Sequence, residues 1–521
     1  MYDQHDDSKS TVTGPRKVHR GASLSRIAFP LGGIGAGMIC LEGAGTISHV
    51  SVRNRPQVFN EPLIFAALHV KGVTPGTRVL EGPVPDWKIV FPWDPAVSGG
   101  SGGGASGETY GLRRFAQAEF DSAFPFARVR LRDEKMPVSA EIIGWSPFIP
   151  GEEDSSSLPV AALEYSFHNT SDSALDATFS FHAANFMRTR EGEHCDVRRI
   201  ERGFILENKG DTALPHEEGY FCAVIDEPHT SVDCAWFRGG WFDTLSMVWG
   251  GVERGEMIDA DPHKGGSPSP GATLAAPLHL KPGEKRTLRL RLCWYVPFSD
   301  LWYGLSETMP VLDQDQANDQ SESTKTQEHH RPWYAGHFAR VDELNEYWRS
   351  RYADLKESSR KFSECLHGGG LLTEVVEAVS ANLSILKSPT VLRQTDGRLW
   401  AFEGCSDTEG SCPGMTTHVW NYAQALPHLF PSLERSLRTT EFGENQDDTG
   451  HQAFRAYLPI ADLTHGFLAA ADGQLGGIMK VHRDWIICGD ESWLWDLWPR
   501  VRKSLDYCIE AWDPKHKGIL E

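Results

Sequence analysis

The sequence predicts a chain in two parts, an antiparallel β-sandwich followed by a helical toroid or bundle. Between Thr287 and Val296, leucine alternates with arginine, a period of two that predicts a strand with one buried and one solvent-exposed face. Short apolar runs of this kind are separated by clusters of Asp, Asn, Ser, Gly and Pro, as an antiparallel sandwich requires. After Pro332 the apolar spacing becomes helical, which predicts the second part.

The changes of period divide the chain into four segments. Residues 1–25 are predicted to be a disordered amino terminus, and residues 26–300 the β-sandwich. Residues 301–365 are predicted to form a linker with a polar loop and a long helix, and residues 366–521 the first part of a helical domain. Strands are predicted at 126–131, 161–168, 177–182 and 287–296, helices at 338–362, 371–386, 417–438, 474–487 and 492–512, and surface loops at 98–107, 261–273 and 311–330.

The composition excludes one class of partner and favours another. The chain has 51 Lys and Arg residues against 71 Asp and Glu, a formal charge of −20, and its basic residues form no stripe. Because binding of phosphates needs concentrated positive charge, no nucleic-acid partner is predicted. The 17 Trp and 25 Phe residues can fill cores, and aromatic faces also pack against the C–H surfaces of sugars.

Location and cofactors are predicted from what the sequence lacks. The amino-terminal run MYDQHDDSKS is polar and no stretch approaches the length of a membrane-spanning helix, so a soluble, cytoplasmic protein without a membrane segment is predicted. The ten cysteines include no CxxC pair and no matching histidine spacing, so neither a metal nor another cofactor is expected. Cys405 and Cys412 are predicted to be free thiols, and the oligomeric state is left open.

The glycine-rich run PLGGIGAG, residues 30–37, resembles a dinucleotide-binding loop at first sight. Its spacing is not GxGxxG, no helical period follows it, and strand-like segments surround it. A strand and turn that pass close to another backbone are the favoured interpretation.

One carboxylate stands out among the candidate functional residues. Glu403 follows the apolar run Trp400 to Phe402 and precedes Gly404, a setting that suits an active-site turn. In the helix predicted from Thr417, a histidine and a tyrosine are spaced at i and i+4, which would place both on one face. The further candidates, each weighed against a structural role, are His418, His451, His465 and Asp472. Asp447 and Asp448 offer carboxylates to a hard cation, but a solvated loop is favoured there.

Several motifs together resemble the catalytic domain of glycoside hydrolase family 116, the family of non-lysosomal glucosylceramidases and bacterial β-glucosidases. In chain order they are FEGCSDTEGS, THVWNYAQALPHLFPSLERSLR, ADGQLGGIMKVHRDWIICGDESWLWDLWPRV and WDPKHKGILE. PLGGIGAG and the later NRP, residues 54–56, resemble the amino-terminal domain of the same family. The resemblance covers residues 26–521 and implies a β-sandwich followed by an (α/α)6 barrel, of which residues 366–521 would be the first part.

The resemblance also implies a retaining hydrolysis of β-linked sugars, with a carbohydrate or glycoside as substrate and Glu403 as the nucleophile. In that mechanism one carboxylate attacks the anomeric carbon, and a second carboxylic acid protonates the departing oxygen and later activates water. The two acids must differ in pKa to divide those roles. His418 and Asp472 would then contact the sugar or the residues around it, and the family's sugar-binding His would correspond to either His451 or His465.

This chain departs from the family pattern in two places. Glucosylceramidase-like members carry an Asp where this chain has His418, so the resemblance leaves the identity of the sugar open. The family's acid/base Asp follows the segment matched by GILE, so we expect that Asp beyond Glu521 and expect the 521-residue chain to be inactive as given.

Two other classes of function are compatible with the sequence. One is a non-catalytic relative that binds carbohydrate, and the other is a different (α/α)6 enzyme, such as an inverting glycosidase or a phosphorylase. The anomer of the product separates the retaining from the inverting class, because inversion needs carboxyl groups about 6.5–9.5 Å apart with water between them.

Overall fold

The computed structural model describes residues 17–58, 60–89, 108–189, 195–303, 330–412, 414–415, 417–461 and 470–518. Several sequence predictions therefore concern residues outside the described part of the chain. These are the terminus at 1–16, the loops at 98–107 and 311–329, His465, and the end of the GILE segment. Of the predicted disordered terminus, residues 19–20 are instead a short strand paired with residues 119–120, because the edge of a sheet offers them backbone partners.

The amino-terminal part consists of antiparallel strands. They are β1 (His19–Arg20), β2 (Ala28–Gly32), β3 (Met38–Glu42), β4 (Ile47–Ser51), β5 (Ile64–Val70), β6 (Thr77–Val79), β7 (Gln117–Ala123), β8 (Phe126–Arg132), β9 (Val138–Trp145), β10 (Val160–Asn169), β11 (Leu175–Ala184), β12 (Cys195–Ile200), β13 (Gly203–Asn208), β14 (Gly219–Ile225), β15 (Ser231–Asp233), β16 (Gly271–Leu280) and β17 (Lys285–Tyr295). Four short strands lie further on, β18 (Val391–Arg393), β19 (Leu399–Ala401), β20 (Gly404–Cys405) and β21 (Gly410–Ser411).

Two large sheets pack against each other in this part. One has nine strands in the order β1-β7-β8-β9-β10-β17-β14-β13-β12, and the other has five in the order β15-β16-β11-β5-β6. Tyr165 of the larger sheet contacts Phe179 of the smaller one at a ring distance of 4.9 Å, and Phe204 lies 6.3 Å from Phe181. These rings belong to one buried core between the sheets, whose burial is the main stabilising term.

The carboxyl-terminal part is helical. Three helices lie among the strands of the amino-terminal part, α1 (Asp86–Ile89), α2 (Glu153–Ser156) and α3 (Thr244–Glu253). The helices of the carboxyl-terminal part are α4 (Trp333–His337), α5 (Val341–Gly368), α6 (Thr373–Leu383), α7 (Thr417–Trp420), α8 (Leu426–Leu429), α9 (Pro431–Phe442), α10 (Ala471–Cys488) and α11 (Glu491–Trp512). The predicted order, a β-rich part followed by a helical part, is confirmed. Among the described helices, none combines the length and the apolar character needed to cross a bilayer.

Helix α5 covers the outer face of the nine-stranded sheet, which the alternating pattern had assigned to solvent. Trp348 of the helix lies 5.3 Å from Trp145, and the Tyr352 hydroxyl donates to Glu164 at 2.6 Å. Arg291 was therefore predicted wrongly as exposed, since only 2% of its surface is accessible. Its guanidinium binds Asp226 and the side-chain oxygen of Asn345 on α5, which satisfies the buried charge.

The helix predicted over 417–438 is broken into α7, α8 and α9. Pro427 lies in the first turn of α8 and Pro431 begins α9. Proline lacks the backbone N–H and collides with the carbonyl four residues earlier, so it starts a helix but does not continue one. Tyr422 falls in the resulting turn and is 79% exposed, so it does not share a helix face with His418.

The glycine-rich loop joins the two parts of the chain. A Cβ on Gly33 would lie 2.4 Å from the carbonyl oxygen of Leu158, and one on Gly35 would lie 2.5 Å from the backbone nitrogen of Arg393 in β18. Gly35 also has φ of +68°, a conformation that side-chain-bearing residues rarely adopt. The predicted close passage of this loop by another backbone is confirmed.

A lysine is buried at the same junction. Lys387 has no exposed surface, donates to the backbone oxygen of Ser146 at 3.1 Å, and lies near the rings of Phe124 and Phe148. Burial lowers the pKa of its ammonium group to about 7. Removal from water disfavours the charged form, and the described contacts include no carboxylate that would restore it.

Substitution of Gly35 should weaken the junction. We expect Gly35→Ala to lower the urea midpoint of unfolding more than Gly72→Ala does. Both glycines have positive φ, +68° and +77°, so both variants incur the backbone cost of roughly 1–2 kcal/mol. Only position 35 adds a steric overlap, because a Cβ at Gly72 has no atom within 4 Å. Equal midpoints for the two variants would contradict the close packing at Arg393.

Replacement of Lys387 should change how stability depends on pH. Between pH 7 and the ordinary lysine pKa, the unfolded chain binds more protons than the folded one, so stability rises with pH by about 1.4 kcal/mol per unit. Lys387→Met removes this dependence. The free energy of unfolding of the variant minus that of the wild type should therefore fall steadily from pH 7.5 to 9.5 in urea titrations.

The exposed Lys71 provides the control for that experiment, since Lys71→Met leaves the buried amine in place. A difference between Lys387→Met and the wild type that stays constant over this pH range would show that Lys387 is not the titrating group.

Candidate active site

Glu403 lies between two small hairpins. Strands β18 and β19 pair in register from Val391 with Ala401 to Arg393 with Leu399, and the apolar residues 399–402 are fully buried. Strands β20 and β21 form the second hairpin, directly after Glu403. The apolar run Trp400 to Phe402 thus anchors the first hairpin in the core. The Glu403 carboxylate follows it at the point where the chain reaches the surface.

The backbone around Glu403 is held by hydrogen bonds on both sides. The Phe402 nitrogen donates to the Thr390 oxygen at 2.9 Å, and the Glu403 nitrogen donates to the Ser411 oxygen at 3.0 Å. The Met415 nitrogen also donates to the oxygen of Ala401, at 2.8 Å. Such fixed backbone sets the direction of the side chain before any ligand binds.

Trp420 of α7 adds a side-chain contact to this frame. Its indole nitrogen donates to the Phe402 oxygen at 3.1 Å, and only 7% of the residue is exposed. No pattern in the sequence singles out Trp420, although it lies two residues after His418. Tyr303 was missed as well, since no local pattern links it to Trp400, on which it stacks at 5.7 Å.

The Glu403 side chain is partly exposed, and within the described residues it makes no hydrogen bond or ion pair. Most other carboxylates at the core of the fold are paired; Glu164, for example, binds both Tyr352 and Lys356. Buried charges generally require such partners, whereas a carboxylate that must react needs to stay accessible.

His418 and Asp472 lie close to each other. The His418 Nδ1 atom lies 3.8 Å from the Asp472 carboxylate, which is in the first turn of α10, and the histidine ring packs 5.2 Å from Phe454. The Asn421 side chain donates to the backbone oxygen of Asp472 at 3.0 Å, which ties the turn after α7 to α10. Because Trp420 also binds Phe402, these contacts join the segments that carry Glu403, His418 and Asp472.

His451 lies in a different environment. Its ring stacks on Tyr507 of α11 at 4.7 Å, with Trp512 perpendicular at 6.5 Å. Its backbone nitrogen donates to Asp447 at 3.0 Å, and the same carboxylate accepts two bonds from Thr449. Asp447 thus stabilises its own loop, and a sugar contact for His451 stays a prediction, as it does for His465 outside the described residues.

The cysteines of the hairpin are free thiols, as predicted. The Thr390 hydroxyl donates to the sulfur of Cys405 at 3.6 Å. Burial raises the pKa of the Cys405 thiol, which keeps it protonated and a poor nucleophile. The thiol of Cys405 is therefore not the reactive group of this turn, whereas the Glu403 carboxylate is partly exposed beside it.

The family model described as beta-glucosidase 2, glycosyl-hydrolase family 116 N-term, matches residues 28–355. The chain belongs to glycoside hydrolase family 116. A comparison of this family 116 chain with curated proteins gives no match. Its amino-terminal part is therefore that of a family of enzymes acting on glycosides.

Solved structures give more distant likenesses. A GH92 alpha-mannosidase from Bacteroides thetaiotaomicron is 9% identical at a TM-score of 0.34, with 95% of this chain and 53% of that one covered. A GH92 inverting mannosidase from the same organism is 10% identical at a TM-score of 0.35, with 95% and 54% covered. The chain thus spans about half the length of these solved structures.

The hydrogen bond from the Trp420 indole to the Phe402 oxygen should stabilise the Glu403 turn against local opening. Trp420→Phe keeps a six-membered aromatic ring but removes part of the buried indole and its N–H, whose hydrogen bond contributes about 0.5–1.5 kcal/mol. We expect amide hydrogen exchange in the peptide covering residues 402–411 to become about 2–10 times faster, because local opening sets that rate. Mass spectrometry of the exchanged peptides measures it.

Trp498→Phe on α11 serves as the matched control, since Trp498 is 49% exposed and distant in sequence from this turn. Unchanged exchange at 402–411 in Trp420→Phe, or an equal increase in Trp498→Phe, would contradict the role assigned to the indole N–H.

Proposed function

We propose that this chain carries the nucleophile of a retaining β-glycosidase of family 116, with Glu403 as that nucleophile. The observation that carries the proposal is the setting of Glu403, an accessible carboxylate with no side-chain partner among the described residues, on a backbone fixed from both sides. Membership of family 116 supports a sugar substrate, and the position of Glu403 in the FEG turn supports its role.

The proposed reaction is a double displacement. The Glu403 carboxylate attacks the anomeric carbon of a β-linked sugar, the bond from that carbon to the departing oxygen breaks, and a glycosyl ester forms. Water then cleaves the ester and restores both the carboxylate and the original anomeric configuration. A second carboxylic acid about 5–5.5 Å away donates the proton to the departing oxygen and takes one from water. We assign that acid to none of the described residues.

His418 and Asp472 are proposed to bind sugar hydroxyl groups. The His418 ring and the Asp472 carboxylate, with 36% and 66% of their side-chain surfaces exposed, provide both donors and acceptors. Mutual contact at 3.8 Å would orient the imidazole, as carboxylates commonly do for functional histidines. Contacts of this kind fix which epimer binds, because an unpaired hydroxyl at such a site is costly.

The helices α6 to α11 are proposed to be the first part of an (α/α)6 barrel, with the domain division near residues 300 and 366. Ion pairs inside this part support a closed helical packing. Glu434 of α9 pairs with Arg483 of α10 at 2.7 Å, and Glu441 of α9 pairs with Lys480 of α10 at 3.4 Å. Arg438 of α9 also donates to Glu441, at 2.6 Å.

Covalent trapping tests the assignment of the nucleophile. A 2,4-dinitrophenyl 2-deoxy-2-fluoro-β-glycoside should label Glu403, as mass spectrometry of the peptide around residues 399–412 would show. Dinitrophenolate leaves without protonation, so the trap reports on the nucleophile alone and does not need the second acid. The gluco, galacto and manno epimers should be compared, since the sugar itself is part of the question. Glu403→Gln should abolish the label.

Glu409→Gln is the matched control, because Glu409 is an exposed carboxylate in the same hairpin and its replacement should leave labelling intact. With Glu403→Ala and azide, a β-glycoside should give the α-glycosyl azide, since azide enters from the side that the carboxylate vacates. Labelling that persists in Glu403→Gln would refute the proposal, and an inverted product from the wild type would favour an inverting enzyme.

A further inference from the structure

Three aromatic residues project from the loop between β15 and α3. Trp241 is 98% exposed, Phe242 is 67% exposed and Phe237 is 37% exposed. By contrast, Trp145 and Trp294 in the sheets are fully buried. We call residues 237–242 the aromatic loop. Contiguous exposed aromatic surface on a folded protein usually marks a site of interaction.

The aromatic loop is held at both ends. The Arg238 guanidinium donates to the Gly265 oxygen at 3.0 Å, and to the Ser267 oxygen. At the other end, the Asp243 carboxylate accepts from the Ser246 nitrogen at 2.7 Å and caps helix α3. The rings are therefore presented by an anchored segment, which lowers the entropy cost of binding.

The loop leaves the five-stranded sheet at one defined end. Trp236, which precedes it, donates from its indole nitrogen to Thr273 at 2.9 Å, and its ring lies where a Cβ on Gly271 would be. Gly271 pairs with Ala184 at the end of the sheet, and the Ala184 nitrogen donates to the Leu63 oxygen just before β5.

The same end of the sheet leads to the Glu403 hairpin. The segment that precedes Leu63 contains Val58, whose nitrogen donates to the Asp407 oxygen at 2.7 Å in the turn between β20 and β21. Hydrogen bonds thus link the sheet end that carries the aromatic loop to Leu63, and Val58 to the hairpin that follows Glu403.

We propose that Trp241 and Phe242 form a platform on which sugar rings of a neutral oligosaccharide stack. The choice of a sugar as the ligand rests on the proposed function. Aromatic faces pack against the C–H surfaces of sugars, and the two charged residues beside the rings, Arg238 and Asp243, already bind the protein.

The charge of the surface favours a neutral glycan over a membrane. Peripheral binding to the anionic leaflet relies on clustered Lys and Arg residues next to the inserted aromatics. Residues 237–248 carry one arginine and one aspartate, and the chain as a whole carries a formal charge of −20. A neutral sugar chain meets no repulsion from this surface.

Binding of cellohexaose and laminarihexaose, measured by isothermal titration calorimetry on the 521-residue protein, tests the platform. We expect Trp241→Ala to weaken binding of at least one hexaose about tenfold, which corresponds to about 1.4 kcal/mol, and Phe242→Ala to weaken it by a smaller factor. Trp495→Ala is the matched control, because Trp495 is also largely exposed, at 71%, but lies on α11. The affinity of the Trp495→Ala variant for the hexaoses should equal that of the wild type.

Three results would overturn the proposal. The first is an undetectable affinity of the wild type for both hexaoses, and the second is equal affinities for Trp241→Ala and the wild type. The third is a loss of membrane binding or of self-association in Trp241→Ala, measured by flotation with phosphatidylcholine vesicles and by analytical ultracentrifugation, because both measurements should be the same for the variant and the wild type. Binding is measured without turnover, so a failure of Glu403 to be labelled would leave this result interpretable.

Discussion

The close contact of the glycine-rich loop with β18 is the constraint on which the arrangement of the two parts depends. Gly35 approaches the backbone of Arg393 so closely that a side chain would not fit. Arg393 in turn binds Asp154 at 2.7 Å and lies 4.4 Å from the Trp333 ring, so one residue contacts the sheet part, α2 and α4. Since β18 pairs with β19, the same contact sets the position of Glu403 relative to the sheets.

Polar groups at this junction are satisfied by backbone atoms more than by opposite charges. Lys387 binds the oxygen of Ser146, and the indole nitrogen of Trp294 donates to the oxygen of Ala36 at 2.7 Å. Neutral hydrogen bonds of this kind avoid the large desolvation cost of buried ions while still fixing geometry. Together with the ion pair between Arg393 and Asp154, these bonds set the register of the junction.

Much of the architecture follows from local patterns, and the failures have identifiable causes. Period-two runs predicted the strands around Leu290 and Tyr165 because alternation depends only on neighbours in sequence. Arg291 was assigned to solvent because no local signal shows that a helix 50 residues later will cover that face. The helix over 417–438 was predicted through Pro427 and Pro431, where the apolar spacing was weighed above the missing N–H groups.

The candidate site was only partly visible for the same reason. Glu403 was recognisable from its motif, and His418 and Asp472 from their polar character on apolar segments. Trp420 contributes a hydrogen bond to a carbonyl, a role that any donor of suitable length could fill and that leaves no pattern in the sequence. Tyr303 reaches the hairpin from nearly a hundred residues away, and contacts of that range require the fold itself.

The bond from Val58 to Asp407 has a consequence for the order of folding. It joins residues 349 positions apart, and the contact of Gly35 with Arg393 spans a similar distance. Loops of that length close late, because their entropy cost must be met before any contact compensates it. During synthesis the sheets can assemble first, whereas the turn that holds Glu403 can be completed only after the helices that flank it have emerged from the ribosome. A reactive Glu403 carboxylate would then indicate that the two parts of the chain have docked correctly.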